Sequence, residues 1–236
     1  MYRSTATSIE GFVQQLAVGY ITHGYWFYVT GIIPEHKEPS AVDAKLIARY
    51  GIAMSKWTRC RRKRAGLANV QYLRHGRFFI LIATSGEHPF FAAEAARLRD
   101  VREYPVQFHG YSIGCRLGRD GRRYHASVRI AREAYRALKA QFEHAATRRS
   151  VEELRRALRA IPFSPFAPVC RQFCALLCMI NRRRKTAGLE LLSWDVLRLR
   201  RRSIKPFGQD HPLASTATLS APPSSSQSRR RRKTTT

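Results

Sequence analysis

LANVQYLRHGRFFILIATS, residues 67–85, is the part of the chain with the most definite structural pattern. Residues 68–74 form one extended run, and residues 77–84 form a second run rich in aromatic and β-branched side chains. His75-Gly76 between them is a two-residue turn, with glycine where a positive φ must be tolerated. The stretch is therefore predicted to be a β-hairpin, and the cationic block RCRRKR at residues 59–64 lies just before it.

Upstream of the hairpin, the pattern predicts one strand followed by two helices. Residues 20–33 contain the aromatic run YWFY, which is apolar on both faces and therefore typical of a central strand. A helix is predicted to begin with Ser40 as its N-cap and to end at Gly51, and a second short helix to cover residues 55–64. Residues 1–18 are predicted to be a loose arm or a short helix.

Downstream of the hairpin, a mixed pattern gives way to a helical one. The expected elements are a helix at 87–99, a strand at 106–116, a turn at Asp120-Gly121 and a partner strand at 124–130. From Ala131 onward, helices are predicted at about 131–147, 150–160, 168–187 and 194–202.

The order strand, helix, hairpin, helix, strand is the split βαβ arrangement. The predicted fold class is therefore α+β: an antiparallel sheet of about five strands, ferredoxin-like, with helices on one face and a helical C-terminal segment after it. The predicted divisions are an N-terminal arm at 1–18, an α+β core at 19–147, a helical extension at 148–208 and a disordered basic tail at 209–236, which is rich in Ser, Thr and Pro.

Charge is the most extreme bulk property of the chain. It has 43 Lys+Arg against 16 Asp+Glu, a formal net charge of +27, and the tail from Gln209 contributes five of the basic residues and one acid. The remaining body therefore keeps a charge of about +23, which would repel itself unless a polyanion is usually near. Nucleic acid, DNA or RNA, is the predicted partner, with an anionic membrane surface or a ribosome-like setting as alternatives.

The cysteines, the length of the apolar runs and the N-terminal sequence indicate the compartment. Five cysteines at scattered positions argue against a disulfide framework and for a reducing compartment. The longest apolar run, residues 173–180, is far shorter than the roughly 20 residues of a membrane helix. The N-terminus lacks the pattern of a signal peptide. We therefore expect a cytoplasmic protein that does not span a membrane.

Phosphate contact is predicted for basic residues that are clustered without interspersed acids, unlike the residues of an ordinary solvated surface. The clusters are Arg59, Arg61, Arg62, Lys63 and Arg64; Arg116, Arg119, Arg122 and Arg123; Arg182, Arg183, Arg184 and Lys185; and Arg198, Arg200, Arg201 and Arg202. Arg74 and Arg77 of the hairpin are added to them.

Two segments of the core carry a resemblance to a known family. FYVTGI, residues 27–32, is similar to the first-strand motif of RNA-recognition-motif (RRM) domains, and GLANVQY, residues 66–72, resembles their third-strand motif. The resemblance implies an RRM-like sheet whose aromatic residues stack on bases. Leu67 and Asn69 stand where that motif has aromatics, so Tyr72 and the aromatics around Trp26 are the candidate stacking residues.

A second resemblance concerns the same βαββαβ core, which HUH endonucleases of rolling-circle initiators and small transposases also contain. That resemblance implies two histidines on a metal and a nucleophilic tyrosine. The chain has no His-x-His motif. Glu87 and His88 after the central strand, and Tyr135 on a later helix, are the residues available to such a site. A divalent metal is expected under this alternative alone.

No other motif indicates a reaction or a cofactor. The chain lacks a phosphate-binding P-loop and a dinucleotide fingerprint. Cys170, Cys174 and Cys178 recur every four residues on one predicted helix and are interpreted as packing residues. The predicted function is nucleic-acid binding through the phosphate backbone, in a plasmid or mobile-element setting. The alternatives are an HUH-like nicking or strand-transfer enzyme with a rearranged site, and a basic structural protein of a ribonucleoprotein.

Overall fold

The predicted hairpin is present in the computed structural model, which describes residues 2–118, 120–197, 199–201 and 204–207. It consists of strands β2 (Val70–His75) and β3 (Phe78–Thr84), which are numbered by their order in the chain. His75 pairs with Phe78, so the turn is Gly76-Arg77, one residue later than predicted. Gly76 adopts a φ of 56°, the left-handed conformation that glycine tolerates without strain.

The hairpin belongs to a four-stranded antiparallel sheet. Strand β1 (Tyr25–Ile32) pairs with β3, and the two-residue strand β4 (Arg99–Asp100) pairs with β1, which gives the order β2-β3-β1-β4. Helix α2 (Pro39–Arg49) and helix α3 (Lys56–Arg64) connect β1 to β2, and the short helix α4 (Pro89–Ala93) follows β3. This order is that of a split βαβ sheet, but the strand that closes it is β4 and not the strand predicted at 106–116.

The remaining strands form a separate sheet of three strands. It contains β5 (Val106–Phe108), β6 (Tyr111–Leu117) and β7 (Tyr124–Ile130) in chain order, all antiparallel. The single strand predicted at 106–116 is wrong, because the chain reverses at His109-Gly110, where both residues have positive φ. The α+β class and the antiparallel pairing are confirmed, but the strands are divided between two sheets instead of one sheet of about five.

The helix predicted at 87–99 is also too long. Helix α4 ends at Ala93, and residues 99–100 are in strand β4. The amide of Val101 donates to the carbonyl oxygen of Trp26 at 2.8 Å, and the Val101 side chain is fully buried. Pairing with β1 and burial of Val101 therefore override the local helical pattern.

Of the two structures predicted for residues 1–18, a loose arm or a short helix, the structure contains the short helix. Helix α1 (Ile9–Gln14) continues into a π-helical turn (Gln15–Tyr20) and a 3₁₀ turn (Ile21–His23), so the strand predicted from residue 20 begins at Tyr25. Phe12 is fully buried, with its ring centroid 4.1 Å from that of Phe108 and 5.7 Å from that of Phe78. The segment therefore fills the space between the two sheets.

The helical C-terminal segment is confirmed. The helices predicted at 131–147, 150–160 and 168–187 are α5 (Arg132–Ala145), α6 (Val151–Arg159) and α7 (Ala167–Thr186), and a 3₁₀ turn (Trp194–Val196) lies where a helix was predicted to begin at 194. The predicted N-cap Ser40 lies inside α2, whose N-cap is Glu38. The predicted tail at 209–236 lies outside the described residues.

Three apolar cores hold these elements together. The main core lies between the two sheets and includes α1 and the first half of α7, a second core lies on the other face of the four-stranded sheet beneath α2 and α4, and a third joins α5, α6 and α7. The four-stranded sheet is therefore covered on both faces, and not by helices on one face alone. Within the described residues, no helix is both long enough and apolar enough to cross a membrane.

Candidate nucleic-acid interface

Helix α3 is the most cationic element of the structure. Six of its nine residues are Lys or Arg, and none of its side chains is buried. The helix forms here because Ser55 caps it, with its hydroxyl accepting the amide of Thr58 at 3.1 Å. The helix predicted at residues 55–64 is thus confirmed, and its charge lies at the surface.

The inner side of α3 is fixed to the sheet by polar contacts. Arg62 Nη2 donates to the carbonyl oxygen of Ala68 at 3.0 Å, and the carbonyl oxygen of Arg59 accepts from Asn69 Nδ2 at 3.0 Å. The guanidinium of Arg59 also donates to the carbonyl oxygen of Met54. Arg59 and Arg62 are half-buried, so these two predicted phosphate contacts also have a structural role.

The outer side of α3 exposes the rest of the predicted cluster. Arg61, Lys63 and Arg64 are exposed, and within the described residues they have no ion pair. Trp57 is 77% exposed and lies on the same face as Arg61 and Arg64, at the spacing i, i+4 and i+7. Trp57 was not among the predicted contact residues, although its helical spacing from Arg61 and Arg64 is visible in the sequence.

A cleft of about 850 Å³ opens beside the first turn of α3. Four of the side chains that line it are basic, and the described lining residues include no Asp or Glu. The basic residues are Arg3, His23, Lys56 and Arg59. A cleft of this size fits a small ligand, and its cationic lining favours an anionic one.

The wall of the cleft is polar but carries no negative charge. The Tyr2 hydroxyl lies 2.9 Å from both Gln71 Oε1 and the carbonyl oxygen of Tyr72 and accepts the Tyr72 amide at 3.0 Å. Burial raises the pKa values of Tyr2, Tyr20 and Tyr25 above their ordinary value. These hydroxyls therefore stay protonated and neutral, and they leave the attraction of Arg59 and Lys56 for an anion intact.

The cluster around the β6–β7 turn gains one residue that was not predicted, Arg129, which lies near Arg116. Arg116, Arg122 and Arg123 are exposed as predicted, and Arg119 lies outside the described residues. Burial, followed by the nearby charges of Arg116 and Arg171, lowers the pKa of Arg129. The alternation of β7 places Arg129 on the same face as His125, a signal that was present in the sequence.

Two residues of the cluster at the end of α7, Arg183 and Arg184, have partners within the protein. Arg184 is 4% exposed, and its Nη1 donates to the carbonyl oxygens of Ala146 and Arg149, each at 2.8 Å. Its assignment as a phosphate contact is therefore wrong, because the guanidinium is occupied by the end of α5. Arg183 forms an ion pair with Glu143.

Other members of the last two clusters remain at the surface. Arg182, Lys185 and Arg200 are exposed, while the guanidinium of Arg201 lies 4.6 Å from the ring centroid of Phe166. Arg198 and Arg202 lie outside the described residues.

The predicted contact residues of the hairpin, Tyr72, Arg74 and Arg77, all form hydrogen bonds within the protein. The Tyr72 side chain is 0% exposed, and its hydroxyl donates to Asp43 Oδ1. Arg74 Nε is bonded to both oxygens of the same carboxylate, at 2.8 and 2.9 Å. Arg77 donates to the carbonyl oxygens of Pro34 at 2.6 Å and Glu35 at 3.1 Å. The assignment of Tyr72 is therefore wrong, because the side chain is buried, whereas Arg74 and Arg77 are half-buried and also have a structural role around β2 and β3.

The aromatic residues around Trp26 are also covered. The guanidinium of Arg102 lies 4.5 Å from the Trp26 ring centroid, and the Tyr124 ring centroid lies 5.2 Å from it. This stack lies between the two sheets in the main core. The faces of the four-stranded sheet therefore offer no open stacking surface of the kind expected from the resemblance to RRM domains.

The residues considered for a nicking site are distributed over different parts of the fold. The Tyr135 hydroxyl donates to the carbonyl oxygen of Gln172 in α7 at 3.1 Å, and burial raises the pKa of Tyr135. His88 accepts the Phe90 amide at 3.0 Å and lies against Tyr50. The structure thus does not bring Tyr135 together with His88, and the described residues contain no group of three or more potential metal ligands.

The cysteine stripe of α7 lies beside the core and not in it. Cys170 and Cys174 are half-buried, whereas Cys178 is exposed. The buried stripe of α7 is formed instead by apolar residues such as Val169, Phe173 and Leu177. The interpretation as packing residues is therefore wrong for Cys178.

The chain was compared with protein-family models, with curated proteins and with solved structures, and none of the three comparisons finds a match.

Proposed function

We propose that the protein binds nucleic acid through the phosphate backbone and that α3 is the centre of the interface. The observation that carries the proposal is the composition and exposure of this helix: six cationic residues in nine, no buried side chain, and four exposed cations without an ion pair among the described residues. Exposed Lys and Arg that lack acidic partners gain most from neutralising phosphates and releasing counterions.

The cleft beside α3 supports the same conclusion. Lys56 and Arg59 belong both to the helix and to the cleft, which has no carboxylate among its described lining residues. A polyanion bound along the exposed side of α3 would therefore meet further positive charge at the first turn of the helix. The net charge of +27 would assist this association at long range.

We further propose that the protein acts in the cytoplasm, because all five of its cysteines are free in the structure, as is usual in a reducing compartment. Neither a reaction nor a cofactor is part of the proposal.

The test is binding of the full chain to single-stranded DNA, duplex DNA and single-stranded RNA over a salt series. The variant Arg61→Gln/Lys63→Gln/Arg64→Gln removes three exposed cations from α3. We expect weaker binding to all three ligands and a salt dependence of log K on log salt that is shallower by up to about 2.7 for the duplex, because about 0.9 counterion is released per phosphate contact.

The matched control is Lys37→Gln/Lys45→Gln/Arg136→Gln, which removes the same charge from exposed positions outside the predicted clusters. The control should bind nearly as well as the unaltered protein. If the two triple variants lose affinity equally, the effect is one of net charge and the assignment to α3 fails. If neither variant loses affinity, the proposal of phosphate-backbone binding fails as well.

A further inference from the structure

We propose that α3 selects single-stranded nucleic acid, with Trp57 stacking on an unpaired base while Arg61 and Arg64 contact the neighbouring phosphates. This inference rests on the proposed function and deepens it, because it names the class of nucleic acid that the interface recognises.

Trp57 is strongly exposed to solvent. At 77% it is the most exposed of the large hydrophobic side chains in the described part of the chain. Burying an aromatic side chain of this size is strongly favourable, so leaving it in water is costly unless a partner covers it. Single exposed apolar residues are common, but this one lies in a helix where every other exposed residue but Cys60 is cationic.

The orientation of α3 is the reverse of that of an ordinary amphipathic surface helix. An amphipathic surface helix normally turns its aromatic residues to the core and its arginines to water. In α3, Arg59 and Arg62 occupy the inner side through hydrogen bonds to the backbone around Met54 and Ala68, and Trp57 is left outside. The hydrogen bonds of the two arginines therefore hold Trp57 on the surface that also presents Arg61.

The spacing of Trp57, Arg61 and Arg64 limits the chemistry of the partner. Trp57, Arg61 and Arg64 extend along about 10 Å of the helix axis, at 1.5 Å per residue, which is short enough for one strand to contact all three. The partner must present a flat π-face and negative charge within this distance. An unpaired nucleotide does so, whereas the bases of a duplex are stacked on one another and expose only their edges.

The cleft offers a path for the rest of the strand. Lys56 precedes Trp57, and it lines the cleft together with Arg59 and Arg3. The cleft is also lined by Gln15 and Gln71, whose side-chain amides are hydrogen-bonding groups of the kind that a base edge requires. A strand whose base stacks on Trp57 can therefore continue along positive and polar surface.

The experiment compares Trp57→Ala with Trp57→Phe and with Trp194→Ala, which removes another exposed tryptophan (57% exposed). Each full-length variant is titrated with an oligonucleotide of about 16 nucleotides, a length within the usual range of single-strand sites, as single strand and as duplex. Circular dichroism and thermal unfolding confirm that each variant is folded.

We expect Trp57→Ala to weaken single-strand binding by between about 5-fold and 150-fold, the range for loss of one base–aromatic stack, and to leave duplex binding within about 2-fold. Trp57→Phe should retain part of the affinity, and Trp194→Ala all of it. In a Trp194→Phe background, single-stranded ligand should quench the Trp57 fluorescence.

Three results would overturn the inference. Unchanged single-strand binding by Trp57→Ala would do so, and the proposed function would still stand if the triple α3 variant binds weakly. Equal losses for single strand and duplex would show that Trp57 is not a stacking residue. Quenching by poly-glutamate but not by oligonucleotide would assign the surface to an acidic protein partner.

Discussion

The guanidinium of Arg62 donates from Nη2 to the carbonyl oxygen of Ala68 at 3.0 Å, across the connection between α3 and β2. A charged donor is thereby used to attach a helix that has no buried side chain of its own. The same contact orients α3 so that Trp57 and Arg61 lie on its outer side. Arg62 and Arg61 are therefore neighbours in sequence with different roles.

Replacing these two arginines should separate the two roles. We expect Arg62→Ala to lower the free energy of unfolding by about 1.5–3 kcal/mol, the usual contribution of a hydrogen bond from a charged group. Arg61→Ala, at an exposed position, should change it by less than about 0.5 kcal/mol. Urea denaturation followed by circular dichroism measures both. Equal stability of the two variants would contradict the inner and outer assignment.

Arg184 should behave as a structural residue despite its place in a basic run. Its truncation leaves the carbonyl oxygens of Ala146 and Arg149 without their donor, and each such loss costs about 1–3 kcal/mol. We therefore expect Arg184→Ala to lower the free energy of unfolding by at least about 2 kcal/mol, measured by urea denaturation. Arg182→Ala is the control, since Arg182 is exposed in the same run, and a similar loss there would refute the distinction.

Phe12 should be a core residue of the whole protein. It is fully buried between rings from both sheets, so Phe12→Ala should cost about 3–5 kcal/mol. Val18, in the same segment but 44% exposed, provides a control, with less than about 0.5 kcal/mol expected for Val18→Ala. Thermal unfolding of the two variants measures the difference. A negligible effect of Phe12→Ala would mean that residues 1–18 are a loose arm after all.

The buried pair of Tyr50 and Glu94 should make stability depend on acid pH. Burial opposes ionisation of Glu94, but the hydrogen bonds from Tyr50 and Arg97 outweigh it and hold the pKa of Glu94 below its ordinary value of 4.5. A carboxyl whose pKa is depressed by folding stabilises the folded state above its unfolded pKa, and this contribution is lost as the pH falls through the folded value.

The unaltered protein should therefore lose stability as the pH falls below about 4.5, while Tyr50→Phe, which lacks the hydroxyl bonded to Glu94, should lose less over the same range. Urea denaturation at a series of pH values between about 6 and 3 tests this. Identical pH profiles of the two proteins would show that the Tyr50 hydroxyl does not depress the pKa of Glu94.

The sequence alone was enough to predict the elements that are determined by neighbouring residues. The hairpin around Gly76, the short helix α3 behind Ser55 and the turn at Gly121 all follow from a glycine or a cap that acts on its immediate neighbours. The first part of the split βαβ order, a strand, helices and a hairpin, also follows from the local patterns. The surplus of positive charge is a property of composition and is independent of the fold.

Contacts between distant residues decided the rest. The reversal at His109-Gly110 and the strand at Arg99-Asp100 depend on pairing with other strands. Tyr72 and Arg74 were predicted to contact nucleic acid, because aromatic rings stack on bases and guanidinium groups bind phosphates. In the structure both side chains instead donate hydrogen bonds to Asp43, about thirty residues away in the sequence.

For α3, composition established the charge, and the tertiary structure decided how it is used. A hydrophobic pattern would turn Trp57 inward and Arg62 outward. The carbonyl oxygens near Met54 and Ala68 reverse this orientation, because buried backbone acceptors require donors and the two arginines supply them. An aromatic side chain thus lies among exposed cations because of hydrogen bonds that no local pattern of the sequence records.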